Sequence, residues 1–224
     1  MARIGLKYIV GAVVSEYKSG ELPVLKDGFI IGRAITADKN INFAENPLYA
    51  DDSTAENEYT FESGTLSLNV DEITLETQAK MYGHKYIPAP EDAEGATAML
   101  TRGGANQPPH MAVGYYKTKV HYGKKSYEVT IIYKVKFSPP NESAKTKEKS
   151  ITWGTPTTEG TIETLDGFED DIYENTYEFP SEDAALRFIQ KTFGMIDENS
   201  NSESTDTENT DTEGTDAGTE GTGD

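Results

Sequence analysis

The sequence predicts a mainly β fold, an antiparallel β-sandwich or flattened barrel with one or two short flanking α-helices. Three observations carry that expectation. Apolar and polar residues alternate in several segments, the two-residue period of a strand with one buried face. The 13 Tyr and 8 Phe add aromatic side chains to β-branched runs that suit a pleated surface. Only two stretches change to a helical period, and both are short.

The elements follow in chain order. Ile4, Leu6 and Tyr8 alternate with small or polar neighbours, and residues 9–14 continue as a β-branched run. A first strand explains this opening better than a signal peptide, because Lys7 interrupts the apolar stretch and no clear small-residue cleavage site follows. Residues 29–43 read as one long extended segment with Ile31, Ile35, Ile41 and Phe43 on one parity. Residues 65–70, TLSLNV, alternate cleanly. The period then changes: Asp71 is placed to cap a helix over 71–82, with Leu75, Ala79 and Tyr82 as its apolar stripe and Gly83 as its stop. His84 follows, where an imidazolium would complement the helix dipole. Residues 87–109, rich in Pro and Gly, read as irregular.

Residues 111–137 carry the clearest signal, a hairpin. One parity of its first strand holds Ala112, Gly114, Tyr116, Thr118 and Val120; one parity of its second holds Tyr127, Val129, Ile131, Tyr133, Val135 and Phe137. The turn between them is expected over 121–125. A polar loop follows, then one or two strands within 150–165 and another over 173–179. Pro180 and Ser181 open a second helix with Leu186, Ile189 and Phe193 on its apolar stripe and Gly194 at its end.

Charge divides the chain into two parts. The whole carries 39 acidic and 20 basic residues, a net −19. Residues 197–224 hold ten acids, no Lys or Arg and a single apolar residue, Ala217, so the remainder has 29 acids against 20 bases, a net −9. A segment of that composition cannot bury enough apolar surface to offset its ordering entropy. The expected organisation is a β domain over 1–196 and a disordered acidic tail over 197–224.

Composition also limits the chemistry. With no Cys, disulfides, thiol catalysis and Cys-ligated zinc are excluded. His84, His110 and His121 are the only histidines, too few and too scattered for a multi-His metal site. Asp166, Glu169, Asp170 and Asp171 lack the spacing of a calcium loop, and no phosphate-binding glycine motif is present. No catalytic, cofactor-binding or metal-binding residue is expected, and the reading is of a non-enzyme. No run is apolar and long enough for a membrane helix.

Two segments stand out as interaction surfaces. Residues 45–59 separate two strong strand signals and read as a loop too long for a tight turn. They carry Leu48, Tyr49 and Tyr59 beside Asp51, Asp52, Glu56 and Glu58. Apolar anchors flanked by charge suit contact with a partner. The second segment is basic: Lys117, Lys119, Lys124, Lys125, Lys134 and Lys136 lie in the hairpin, with Lys145, Lys147 and Lys149 beyond it. Interleaved tyrosines raise a nucleic-acid surface as one reading. Lysines that guard strand edges against uncontrolled pairing are favoured over it. A third reading is that this basic surface meets the acidic loops of another copy.

Three stretches, in order, resemble the major tail protein, or tail tube protein, of long non-contractile-tailed bacteriophages of Gram-positive hosts. They are Ala2-Arg3-Ile4-Gly5-Leu6-Lys7-Tyr8; Ile31-Gly32-Arg33-Ala34-Ile35 leading into Asn46-Pro47-Leu48-Tyr49-Ala50-Asp51-Asp52; and 64–73, GTLSLNVDEI, with Gln78-Ala79 and Gly83-His84 after it. The likeness covers about the first 85 residues, and the later elements fit more loosely. It implies a tail-tube β-sandwich, homo-hexameric rings whose strands join in a continuous inner barrel, and stacking of rings around a tape-measure protein. It implies tail-terminator and baseplate proteins as further partners, DNA only in transit through the lumen, no cofactor, no membrane, assembly in the host cytoplasm and residence in the virion tail. In such a ring the long segment 31–43 and the hairpin 111–137 are expected to form the ring sheet. The segment 45–59 is expected to reach a neighbouring subunit or ring. The alternative function is a non-viral β-sandwich binding module for a surface or carbohydrate.

The composition of the tail generates the first prediction. A chain ending at Ile196 is expected to fold and associate as the full chain does, measured by circular dichroism and light scattering. Loss of either property would give the acidic tail a structural role.

Overall fold

The computed structural model describes residues 2–15, 17–50, 53–91, 93–140 and 154–196. The tail over 197–224, together with Asp51, Asp52, Lys145, Lys147 and Lys149, lies outside them. Among the described residues strand far outweighs helix, which establishes the mainly β class with two short helices.

The elements are β1 (Ala2–Val13), β2 (Phe29–Gly32), β3 (Ala34–Ala50), β4 (Ser53–Val70), α1 (Leu75–Tyr82), β5 (Lys85–Pro88), β6 (Ala98–Thr101), β7 (His110–His121), β8 (Lys124–Ser138), β9 (Thr157–Ile162), β10 (Glu174–Phe179) and α2 (Glu182–Thr192). Among the described residues ten strands form two sheets. The large one runs β2-β1-β7-β8-β9-β4-β3, with β10 also paired to β8; β5 and β6 form a separate hairpin. Every pairing is antiparallel.

Strand β8 ties the two halves of the sheet together. Along one edge it follows β7; along the other it pairs first with β10, at residues 127–132, and then with β9, at 135–138. The register slips where Val113 faces Ile132 but Met111 faces Val135. Two β8 residues there oppose one on β7, a bulge that reverses the facing of everything beyond it. Tyr127, Val129, Ile131 and Tyr133 therefore share one core, whereas Val135 and Phe137 point into the other with Ile132. The single parity expected for all six is corrected on that account.

The central strands are consequently covered on both faces. On one side Leu66, Leu68 and Val70 of β4, with Met81 and Tyr82 of α1, pack against Ile9, Val113, Tyr115 and Ile132. On the other, Ala185, Ile189 and Phe193 of the α2 segment pack against Val10, Ala112, Tyr116, Val129 and Ile131. Burial from both faces explains the unbroken buried run over 111–116. Gly114 makes the α2 contact close: a Cβ there would lie 2.5 Å from Phe193 Cε2.

Several expected elements change. The extended segment 29–43 is two strands, and Arg33 is the corner where the chain passes from the β1 side of the sheet to the β4 side. Its amide donates to Asp71 Oδ1 at 2.8 Å, and the Asp71 amide donates back to the Arg33 carbonyl. Asp71 is thus occupied at the corner and does not cap the helix. The cap is Thr74, whose Oγ1 accepts from the Thr77 amide at 3.2 Å, so α1 begins at Leu75. With the start shifted, Leu75 faces outward, 39% exposed, and Thr77, Met81 and Tyr82 face the core. Gly83 ends the helix in the left-handed region as expected, φ 68°.

The irregular segment 87–109 contains part of the β5–β6 hairpin. The β7–β8 turn is shorter than expected, only Tyr122 and Gly123, because His121 still pairs with Lys124. Ser181 caps α2 through its Oγ, and Gly194 follows in the left-handed region. The largest change concerns 45–59. These residues form no loop: they continue β3 and β4 as a paired ribbon, from Glu45↔Tyr59 to Ala50↔Ser53. Tyr49, Thr54 and Tyr59 of that stretch suit a strand; β3 ends at Ala50 and β4 begins at Ser53.

The Gly114 contact yields a direct check. Gly114→Ala forces a methyl against Phe193 and is expected to cost about 1–3 kcal/mol, read as a lowered thermal midpoint with the β-rich spectrum retained. An unchanged midpoint would show that α2 can shift away freely.

Candidate functional site

The most distinctive surface is the distal half of the β3–β4 hairpin. Strand β9 supports β4 only at residues 64–69, so β4 from 53 to 63 has β3 as its sole strand neighbour among the described residues. β3 is itself the terminal strand of the sheet. About eight residues per strand at about 3.3 Å each make roughly 26 Å of two-stranded arm. Its root is aromatic: Phe61 packs on Tyr173 with ring centroids 5.3 Å apart and meets Phe43 edge-on at 6.3 Å. At 45–47 and 57–60, just beyond the root, the side chains on both faces are exposed. Tyr59 is 61% exposed and Phe43 48%, and Glu45, Glu58 and Glu62 are exposed beside them.

Of the expected contact residues, Leu48, Tyr49, Glu56 and Tyr59 all lie on this arm. Leu48 pairs with Glu56, Tyr49 with Thr54 and Tyr59 with Glu45. They share the arm by strand pairing, where the sequence suggested a loop. Across residues 45–62 the chain has six acids and no Lys or Arg; that run was available as a sequence signal for a continuous acidic stretch.

The basic stretch is divided among four places. Lys117 lines a polar cleft of about 390 Å³ between β3 and the β7-β8-β10 strands, and Glu128 lines it too. Lys119 forms an ion pair with the buried carboxylate of Glu128, and the Lys117 ammonium sits 5.0 Å from the Tyr115 ring centroid. Lys39 is paired with Glu174 at the same cleft. Lys124 and Lys125 stand exposed at the hairpin tip. Lys134 turns to the opposite side, 3.2 Å from Glu163 and 3.8 Å from Asp166. Lys136 lies in a cross-strand row with Thr161, Thr65 and Asn40.

That row belongs to a polar face. The next one reads Ser138, Glu159, Ser67 and Asp38, and Thr157 pairs with Asn69 beyond it. The reverse face carries Leu66, Leu68, Phe137 and Ile162 in the core. One side of the β9-β4-β3 sheet is therefore a wall of short hydroxyl and amide side chains, and Lys136 is the cation within its rows.

The histidines are dispersed. His84 Nδ1 accepts from Asn106 Nδ2 at 3.1 Å, and burial, then Arg102, lowers its basicity. It is held toward the neutral form, which corrects the dipole-complementing imidazolium. His121 meets the Tyr122 ring edge-on. His110 Nε2 lies 3.2 Å from Glu163 Oε2, beside a cleft of about 460 Å³ lined by Val14, Tyr17, Lys134 and Asp166. At the start of α2, Glu182 accepts from Lys7 at 2.8 Å and from Tyr116 at 2.7 Å. These bonds, the Lys7 one foremost, hold its carboxyl below the usual range, with Lys125 adding a weaker attraction.

Glu163 gives a pH prediction. Burial alone would raise its pKa, but bonds from Lys134 and His110 outweigh that and lower it. A carboxylate whose folded pKa is depressed contributes stability above its unfolded pKa, about 4.3, and loses it as pH falls through the folded value. Glu163→Gln is therefore expected to lower the thermal midpoint at pH 7 and to leave the variant and wild type closer together below pH 4. Equal separation at both pH values would remove Glu163 from acid stability.

No family model matches the chain, and no curated protein matches it either.

Proposed function

We propose that this chain is a structural protein that assembles with copies of itself into stacked rings, the wall of a tube of the phage-tail type through which DNA passes. The observation that carries the reading is the arm. A two-stranded ribbon exposed on both faces is marginally stable in water, and long open strand edges invite pairing with another chain. A ribbon that also presents Phe43 and Tyr59 suits a protein whose arm is covered by a neighbour. The resemblance of the first 85 residues to tail tube proteins points the same way.

The polar wall supports a conduit. A face of Thr, Ser and Asn with Glu159 and Asp38 offers phosphates few cations to grip, so a polyanion held there gains little from counterion release. In this reading the wall faces the lumen, and the arm reaches the next subunit or ring. Further copies, a tape-measure protein inside and terminator and baseplate proteins at the ends are the partners.

Two measurements test it. The purified chain, concentrated stepwise, is expected to pass from monomer to six-fold rings or tubes in light scattering and negative-stain electron microscopy. A monomer at every concentration would overturn the reading and favour the binding-module alternative. Leu48→Ala with Tyr49→Ala is expected to abolish tubes while leaving the thermal midpoint within a few degrees. Normal tubes from that variant would remove the arm from the contact.

A further inference from the structure

We propose that the tip of the β7–β8 hairpin, residues 121–125, is the receptor for the acidic arm of a second copy of this chain. The inference rests on the self-assembly reading and names the two surfaces that meet.

The first argument is backbone geometry. His121 pairs with Lys124, leaving a two-residue turn in which Tyr122 has φ 46° and Gly123 φ 78°. Both left-handed positions fit a turn that favours Asn, Asp or Gly at its first place. A bulky side chain there works against the local preference, and Tyr122 is 94% exposed, so its own packing does not offset that. Its ring is held against His121, centroids 4.3 Å apart. An aromatic ring projected on a tight turn, against backbone preference, is suited to insertion into a partner.

The second argument is charge. Within the hairpin, Lys119 and Lys134 are tied to Glu128 and Glu163. Lys124 and Lys125 are exposed, with no carboxylate within 4.0 Å among the described residues. The tip is thus a compact cationic knob with a projecting ring. The arm is its complement. Residues 45–62 hold six acids and no base, and the arm's described surface offers Tyr59 and Phe43 beside Glu45, Glu58 and Glu62. Opposite charge steers the encounter and fixes register, and the aromatic rings supply the buried contact. Because arm and tip are different patches, the contact is heterologous, the kind that propagates from copy to copy.

The test reverses charge on the full chain. Lys124→Glu with Lys125→Glu, and separately Glu45→Lys with Glu58→Lys, are expected to reduce sedimentable assembly roughly tenfold or more, with unchanged circular dichroism. All four changes in one chain are expected to recover assembly in part, as is mixing the two double variants, because the exchanged residues again face opposite charge while Asp51, Asp52, Glu56 and Glu62 keep their sign. Tyr122→Ala is expected to weaken assembly without loss of fold. Normal assembly of either double variant, or failure of the fourfold variant to recover, overturns the proposal while leaving self-assembly standing. A wild type that never assembles overturns both. Binding of a single-stranded oligonucleotide that disappears in the Lys124, Lys125 variant, with assembly intact, overturns it in favour of a nucleic-acid tip.

Discussion

The bulge in β8 is the constraint on which the rest of the structure depends. One strand has to serve two parts of the large sheet. Before the bulge its odd-numbered apolar side chains face α2, and after it they face β4 and β9. Without the extra residue opposite Ala112, Val135 and Phe137 would enter the α2 core and the β9-β4-β3 sheet would have no base. The close fits around the junction follow from this crowding. A Cβ on Gly160 would lie 2.5 Å from Val135 Cγ1, and one on Gly64 would lie 2.8 Å from Ile41 Cδ1. Neighbouring strands meet there with no room for a methyl group, so the position of the arm is set by the packing beneath its root.

Electrostatics are arranged in the same economical way. Cations near the body are largely spent on internal carboxylates: Lys39 on Glu174, Lys119 on Glu128, Lys134 on Glu163. The first two pairs join different strands at the cleft. Exposed pairs such as Lys18 with Glu21 contribute little to stability. The arm is acidic, and Lys124 and Lys125 gather positive charge at the β7–β8 tip. A molecule whose residual charge is sorted by location has a preferred orientation in any field, including that of its own copies.

Much of this was legible in the sequence, and the misreadings have physical causes. The β7–β8 hairpin, the 65–70 strand, α2 and the Gly83 and Gly194 stops follow from period and capping alone. The bulge was hidden because a slip of one residue leaves the sequence pattern intact while reversing its facing. Asp71 looked like a cap because its side chain does accept backbone amides, but at the Arg33 corner. The arm was read as a loop because turn-forming residues, Asn46-Pro47 and Asp51-Asp52, bracket it; cross-strand pairing overrides such local signals. The division of the lysines could not be read at all, since ion pairs such as Lys119 with Glu128 depend on which face each strand presents.

The unsupported ribbon has a kinetic consequence. A segment lacking a third strand opens at lower free energy than the sheet it leaves. In the proposed assembly, contact with a partner completes the folding of the ribbon, so association and local ordering become one event. Charge would accelerate the encounter, but commitment would wait for the ribbon to take its paired form. Departure would require the reverse, opening against a surface that holds both strands. Subunits joined in the proposed way would exchange slowly, and the lifetime of the joint would be governed by the ribbon rather than by the body.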